Sequence, residues 1–298
     1  MEMMIDGKSI KAQESFPVRN PATLEVVDTA PKATTHHVDQ AVESAKKAFK
    51  AWSKDQAARR KALQRCSELI QENMQDLAQL LTKEQGKPLL EASGEVFFGS
   101  MFFSYYANLP VDNTVLKDDG AEKVILQRKP MGVVATITPW KFPFAILCWK
   151  LAPALLAGNT VVSKPASYTP LSTLRLVQVL SQALPPGVVN GISGPGSIGS
   201  AIVKHPDIRK ISFTGSTEVG KTVVKDGADT LKRYTLELGG NDAAILLEDF
   251  NVDKAAKYIY RNAFMNAGQI CIAIKRVYAH ESIYDRLVEK LTEMAKSA

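Results

Sequence analysis

Apolar residues recur at helical spacing through 36–52 and again through 58–81, where Leu63, Leu69, Ile70, Leu77 and Leu80 line one face. The stretch 36–108 therefore predicts a helical opening segment. Between 115 and 134 the pattern shortens to alternation, with Asp118-Asp119-Gly120 as a turn signal and a strand over 123–128. That predicts a β-hairpin at about 113–131, projecting from the body as arms used in oligomer contacts do. From Gly132 onward, β-branched runs at 133–137, 160–163, 188–192 and 208–213 alternate with helical runs at 146–156, 171–184, 198–204 and 217–224. Strands separated by single helices predict a parallel sheet covered on both faces, a doubly wound α/β domain whose ligands sit beyond the carboxyl ends of the strands. Two further strands, 234–238 and 243–247, meet at Gly239-Gly240-Asn241-Asp242, and a helix over 252–267 ends at Gly268, three residues before Cys271.

Composition adds limits. With 298 residues, 45% of them hydrophobic and 23% charged, the chain has material for a sizeable core, which excludes disordered and disulfide-scaffold classes. Its net charge of +6 is spread along the chain, so neither nucleic acid nor a membrane surface is expected as a partner, although a mildly basic surface favours a phosphorylated ligand. Cys66, Cys148 and Cys271 are widely spaced and have no neighbouring His. They read as reduced thiols of a cytoplasmic protein, with no zinc site and no other metal. Residues 1–6 lack the basic flank and apolar stretch of a signal peptide, and the most apolar run, 142–158, is broken by Pro143, Lys150 and Pro153.

Four segments have residue types suited to chemistry. Gly194-Pro195-Gly196-Ser197-Ile198-Gly199 is a literal GxGxxG between a strand and a helix, but the acid expected some 20 residues on is replaced by Phe213-Thr214-Gly215-Ser216. It reads equally as a pyrophosphate cradle or as a turn-forming glycine cluster. Gly215-Ser216-Thr217 delivers a strand onto a helix N-terminus, which is either an anion site or an ordinary N-cap. Cys271 is either a buried structural thiol or a nucleophile, and Glu237, an acid in an apolar strand, is either a salt-bridge partner or a general base.

Taken together, Pro139-Trp140-Lys141-Phe142-Pro143, Lys164-Pro165-Ala166-Ser167, Phe213-Thr214-Gly215-Ser216-Thr217, Leu236-Glu237-Leu238-Gly239-Gly240-Asn241 and Gly268-Gln269-Ile270-Cys271 resemble the aldehyde dehydrogenase superfamily, in particular its succinate-semialdehyde dehydrogenase-like members. The motifs stand in family order over practically the whole chain.

The resemblance implies oxidation of a small aldehyde to a carboxylic acid with NAD or NADP, through a thiohemiacetal and thioester on Cys271. It implies that Glu237 activates the hydrolytic water, which favours hydrolysis over transfer to coenzyme A. Lys164 would meet the adenosine ribose, Gly215 and Ser216 the pyrophosphate, Trp140 the cofactor's flank and Leu238 the nicotinamide end. Gly194, Gly196 and Gly199 would shape the adenine side. Ser167 stands where NAD-preferring relatives often carry Glu, so NADP is expected to be accepted. Lys141 stands where the family nearly always has an oxyanion-holding Asn; it would serve as the donor in its place, at some cost in rate. The implied domains are 1–240, which binds NAD(P), and 241–298, the beginning of an incomplete α/β catalytic domain; relatives continue well past the position of Ala298. An inactive short homologue that binds NAD(P) or partner subunits is the alternative expectation, and a family-like homo-oligomer is expected to be weakened by the missing C-terminal part.

Overall fold

In the computed structural model, residues 1–297 are described. They form two compact units, residues 1–237 and 238–297.

The first unit is built on a seven-stranded sheet. Two short strands open the chain, β1 (Met3–Ile5) and β2 (Lys8–Ile10), followed by a separate antiparallel pair, β3 (Ser15–Arg19) and β4 (Val26–Pro31). At three to six residues each, they carry too short an alternation to be read from sequence. Four helices follow: α1 (Thr35–Trp52), α2 (Gln56–Glu72), α3 (Met74–Gln85) and α4 (Leu89–Asn108). The single run expected over 58–81 is two helices, because the chain leaves helical geometry at Asn73, whose amide turns back to the Leu69 carbonyl. The hairpin is β5 (Thr114–Asp118) with β6 (Lys123–Leu126), exposed along its whole length.

The alternating half of the sequence gives β7 (Val133–Ile137), α5 (Pro143–Leu156), β8 (Thr160–Lys164), α6 (Leu171–Leu180), β9 (Val189–Gly191), α7 (Gly196–Lys204), β10 (Ile208–Thr214), α8 (Thr217–Asp226) and β11 (Arg233–Glu237). Strand order is β11-β10-β7-β8-β9-β1-β2, with β7 to β11 parallel and β1 antiparallel to β9. From β7 the chain steps outward through β8 to β9, then returns past β7 to β10 and steps the other way to β11. Right-handed crossovers that reverse direction put α5 and α6 on one face and α7 and α8 on the other. β7 and β8 are accordingly buried along almost every residue. The reversal also makes the carboxyl ends of β7 and β10 the switch point of the sheet, where such folds open a crevice.

The main core lies among α2 to α6 and includes Leu63, Ile70, Leu77, Phe103, Phe144, Leu147 and Leu151. Gly158, left-handed at φ +90°, ends α5, and Asn159 accepts from the N–H groups of Met131 and Gly132, setting the start of β7. No helix among the described residues is long and apolar enough to cross a membrane.

The second unit is one βαβ step with a further helix: β12 (Asp242–Leu246), α9 (Val252–Phe264), β13 (Ile274–Ala279) parallel to β12, and α10 (Glu281–Lys296). Leu246, Val252, Ala255, Ala256, Ile259, Ile283 and Leu287 form its core. The helix expected to reach residue 267 stops at Phe264, and residues 265–268 form a 3-10 turn.

Candidate active site

The ladder registers align the candidate residues of the first unit at one edge of the sheet. Ile137 pairs with Lys164 and with Phe213, and Thr214 pairs with Glu237, so four neighbouring strands end level. Pro139 to Phe142, Pro165 to Pro170 and Gly215-Ser216 are the connections that leave those ends.

Lys164, at the end of β8, is buried, and its Nζ donates to the Pro165 carbonyl at 2.8 Å. No carboxylate pairs with it among the described residues, and burial pushes its pKa down to about 8. It lines a cavity of about 210 Å³ with Ile137, Gly196, Gly199, Phe213 and Val219. Gly199 is what leaves the room, since a Cβ there would stand 3.6 Å from the Lys164 side chain, and one at Gly196 would meet nothing within 4 Å. The GxGxxG segment thus opens α7 beside the cavity. Ser167 donates to the Gly194 carbonyl at 2.9 Å, tying the β8–α6 loop to the same segment.

Gly215 follows β10 with the Phe213 ring packed where a Cβ would project, so a larger residue in that turn would have to displace the ring. Ser216 caps α8, accepting from the Val219 N–H at 3.3 Å. The N-cap reading of this turn is therefore the one seen; the cap leaves the hydroxyl proton and the Thr217 and Glu218 N–H groups available to a ligand. The Thr138 and Thr214 hydroxyls, just beyond β7 and at the end of β10, are buried without a partner among the described residues.

Trp140 and Lys141 occupy the β7–α5 turn, both half-buried, with the Lys141 ammonium 4.9 Å from the Trp140 ring centroid. Glu237, at the end of β11, is exposed, and its carbonyl accepts from the Gly215 N–H. Its side chain lines a second cavity, of about 370 Å³, together with Trp149, Lys150, Lys210 and Ser212. No motif in the sequence marks Lys150 as functional. Burial lowers its pKa to about 8 while the Glu237 carboxylate favours its charged form, and its ammonium donates to the Ser212 hydroxyl at 3.0 Å. A lysine inside the most apolar run of the chain is the one signal that could have found it.

Leu238 and Cys271 belong to the second unit. Cys271 is half-buried, in a turn reached through three successive left-handed residues, Asn266 (φ 53°), Ala267 (φ 54°) and Gly268 (φ 71°). Only glycine takes that conformation freely, so Ala267 carries backbone strain of the kind found at sites where one geometry is enforced. Gly240, lacking a side chain, lets the Cys271 carbonyl approach the β11–β12 connection closely.

Three buried residues outside these loops also escape sequence reasoning. Lys87, Glu84 and Glu95 lie in or beside the N-terminal helices, and both carboxylates cap helices of the sheet domain. Glu84 accepts from Leu171 and Ser172 at the start of α6, and Glu95 from Phe144 and Ala145 at the start of α5. Acids inside largely apolar helix faces are the only hint. A groove of about 490 Å³ between β4 and α3 holds none of the site residues, and four of its charged groups form two ion pairs, Met1 with Asp28 and Arg175 with Asp76.

A reversing parallel sheet with a glycine-lined cavity at its switch point is the architecture of an open α/β protein that takes a ligand beyond its strand ends. The chain matches the aldehyde dehydrogenase family over residues 9–298 and belongs to that family. It is 41% identical over 302 residues to 3-sulfolactaldehyde dehydrogenase of Pseudomonas putida, covering 99% of this chain and 62% of that protein. It is 38% identical over 300 residues to the NADP(+) succinate-semialdehyde dehydrogenase GabD of Escherichia coli K12, covering 98% and 62%. Among solved structures, an E. coli NADP-dependent enzyme superposes with a TM-score of 0.95 at 37% identity, covering 99% of this chain and 63% of that one. An NAD+ complex of aldehyde dehydrogenase from Bacillus cereus gives 0.95 at 35%, covering 99% and 62%. The chain spans less than two thirds of the length of these relatives.

Proposed function

We propose that this chain carries the NAD(P)-binding domain and the nucleophile segment of an aldehyde dehydrogenase that oxidises a small aldehyde to the carboxylic acid. The observation that carries the reading is Lys164, a buried ammonium with no carboxylate partner among the described residues, facing a cavity kept open by Gly196 and Gly199. An uncompensated buried cation is costly unless a ligand satisfies it. A nucleotide's ribose and phosphate oxygens fit that need, and the unpartnered Thr138 and Thr214 hydroxyls lie near the same strand ends.

In this reading Lys164 and Ser167 hold the adenosine ribose, Gly215 and Ser216 the pyrophosphate at the α8 N-terminus, and Trp140 and Leu238 the flanks of the cofactor. Ser167 brings no negative charge, so a 2′-phosphate is not repelled and both NAD and NADP are accepted. When bound, the nicotinamide supplies the two-electron acceptor for the oxidation.

The Cys271 thiolate attacks the aldehyde carbon, forming a C–S bond while the carbonyl π electrons move to oxygen. Lys141 donates to that oxyanion. After oxidation leaves a thioester, Glu237 takes a proton from water as the water attacks the acyl carbon, and the C–S bond breaks to return the Cys271 thiolate and release the acid. Lys150, whose charged form the Glu237 carboxylate favours, lines the same cavity.

The test is cofactor binding and aldehyde oxidation by the purified chain, over a panel that includes semialdehydes, with Cys271→Ala as control. Turnover lost in that variant supports the reading. Cofactor binding without turnover supports an inactive homologue, and failure to bind either cofactor refutes the assignment of the cavity.

A further inference from the structure

We propose that Lys87 and Glu95 are a positioning pair, which grips the β7–α5 turn from behind and so fixes Trp140 and Lys141 for the reaction; this rests on the roles given to those two residues above. The grip is on the backbone. Pro143 opens α5 and has no N–H, so the first orphan donors of the helix are those of Phe144 and Ala145. Both go to one oxygen of Glu95, at 3.0 and 3.1 Å, although Glu95 lies on α4, far back in sequence. Its other oxygen pairs with the Lys87 ammonium. That ammonium also donates to the Lys141 carbonyl at 3.1 Å and stands 3.8 Å from the Phe142 ring centroid. Residues 141, 142, 144 and 145 are thus all held by a single buried pair, and none of those contacts involves the side chains of Trp140 or Lys141.

Stability alone does not call for this arrangement. A local Ser, Thr or Asp in place of Phe142 would cap α5. A buried ion pair is worth little more than a well-packed apolar pair of the same size. What the pair adds is direction: a carboxylate and an ammonium with several fixed partners leave the turn one orientation, where apolar packing would leave several. The Lys141 carbonyl is held, so its side chain departs from a fixed point toward the Trp140 ring.

The experiment is ¹⁹F NMR of the full chain labelled with 5-fluorotryptophan, which has three signals, from Trp52, Trp140 and Trp149, assigned by Trp→Phe substitution. In Lys87→Met and in Glu95→Gln the Trp140 signal is expected to shift and to broaden about twofold or more, with those of Trp52 and Trp149 unchanged; Lys87→Arg should restore it. The kcat for aldehyde oxidation is expected to fall by about 10-fold or more at unchanged aldehyde KM. If Lys87→Met does not fold, Glu95→Gln, which keeps an acceptor for the α5 N–H groups, decides alone. A Trp140 signal that stays put, or three signals that move together, overturns the proposal. A wild-type chain without turnover would count against the proposed activity and leave the NMR result standing.

Discussion

The carboxylate of Glu84, near the end of α3, accepts the backbone N–H of Ser172 in the first turn of α6 at 2.9 Å. Its second oxygen takes the Leu171 N–H at 2.7 Å, so an acid from the N-terminal helices completes a helix of the sheet domain. Burial raises its pKa from 4.5 to about 7, against the lowering effect of those donors. Between those values the folded chain holds a proton that the unfolded chain has released. The stability linked to Glu84 is therefore full below about pH 4.5 and is lost as pH rises through 7. Relative to wild type, Glu84→Gln should flatten the fall in Tm between pH 5 and 8, an effect of the order of 3 kcal/mol at most. Parallel thermal melts at several pH values check this; equal slopes would rule it out.

Lys164 titrates the other way. Its pKa, lowered to about 8 by burial, means that the charge facing the cavity is present at pH 7 and disappears by pH 9. Affinity for NADP, whose 2′-phosphate depends on that charge, should weaken across this range more than affinity for NAD. Lys164→Met should weaken NADP binding by about 10- to 100-fold at pH 7, the loss of a charge-assisted hydrogen bond. Calorimetric titration with both cofactors reads both effects.

Filling the cavity should separate binding from folding. A Cβ at Gly199 would stand 3.6 Å from the Lys164 side chain, so alanine is tolerated, whereas valine intrudes on the cavity. Gly199→Val is expected to abolish cofactor binding with a Tm within a few degrees of wild type. Retained binding would place the nucleotide elsewhere.

Lys141, the proposed oxyanion donor, stands where the family resemblance implies an Asn. Its flexible ammonium sits over the Trp140 ring, a looser donor than a short amide and one whose charge opposes a cationic nicotinamide. Lys141→Asn should raise kcat, by up to about 100-fold if the oxyanion contact is restored in full. A lower kcat would show that the lysine has been built into the site.

The alternation of strands and helices from Val133 to Glu237 is legible in the amino-acid sequence by itself, because period-2 and period-3.6 patterns with Gly and Pro between them are local properties. The pattern places Val133–Ile137 to the residue, and the motifs at Lys164, Gly215, Glu237 and Cys271 mark candidate positions for chemistry. Local signals misjudge the break at Asn73 and the end of α9 at Phe264, where the backbone leaves helical geometry while the apolar spacing runs on. They also carry nothing of β1, whose three residues join the main sheet only through pairing with β9. The tertiary structure alone decides that Glu84, Glu95, Lys87 and Lys150 matter. Each hydrogen-bonds to groups far off in sequence, and only folding chooses the partners of a buried polar group.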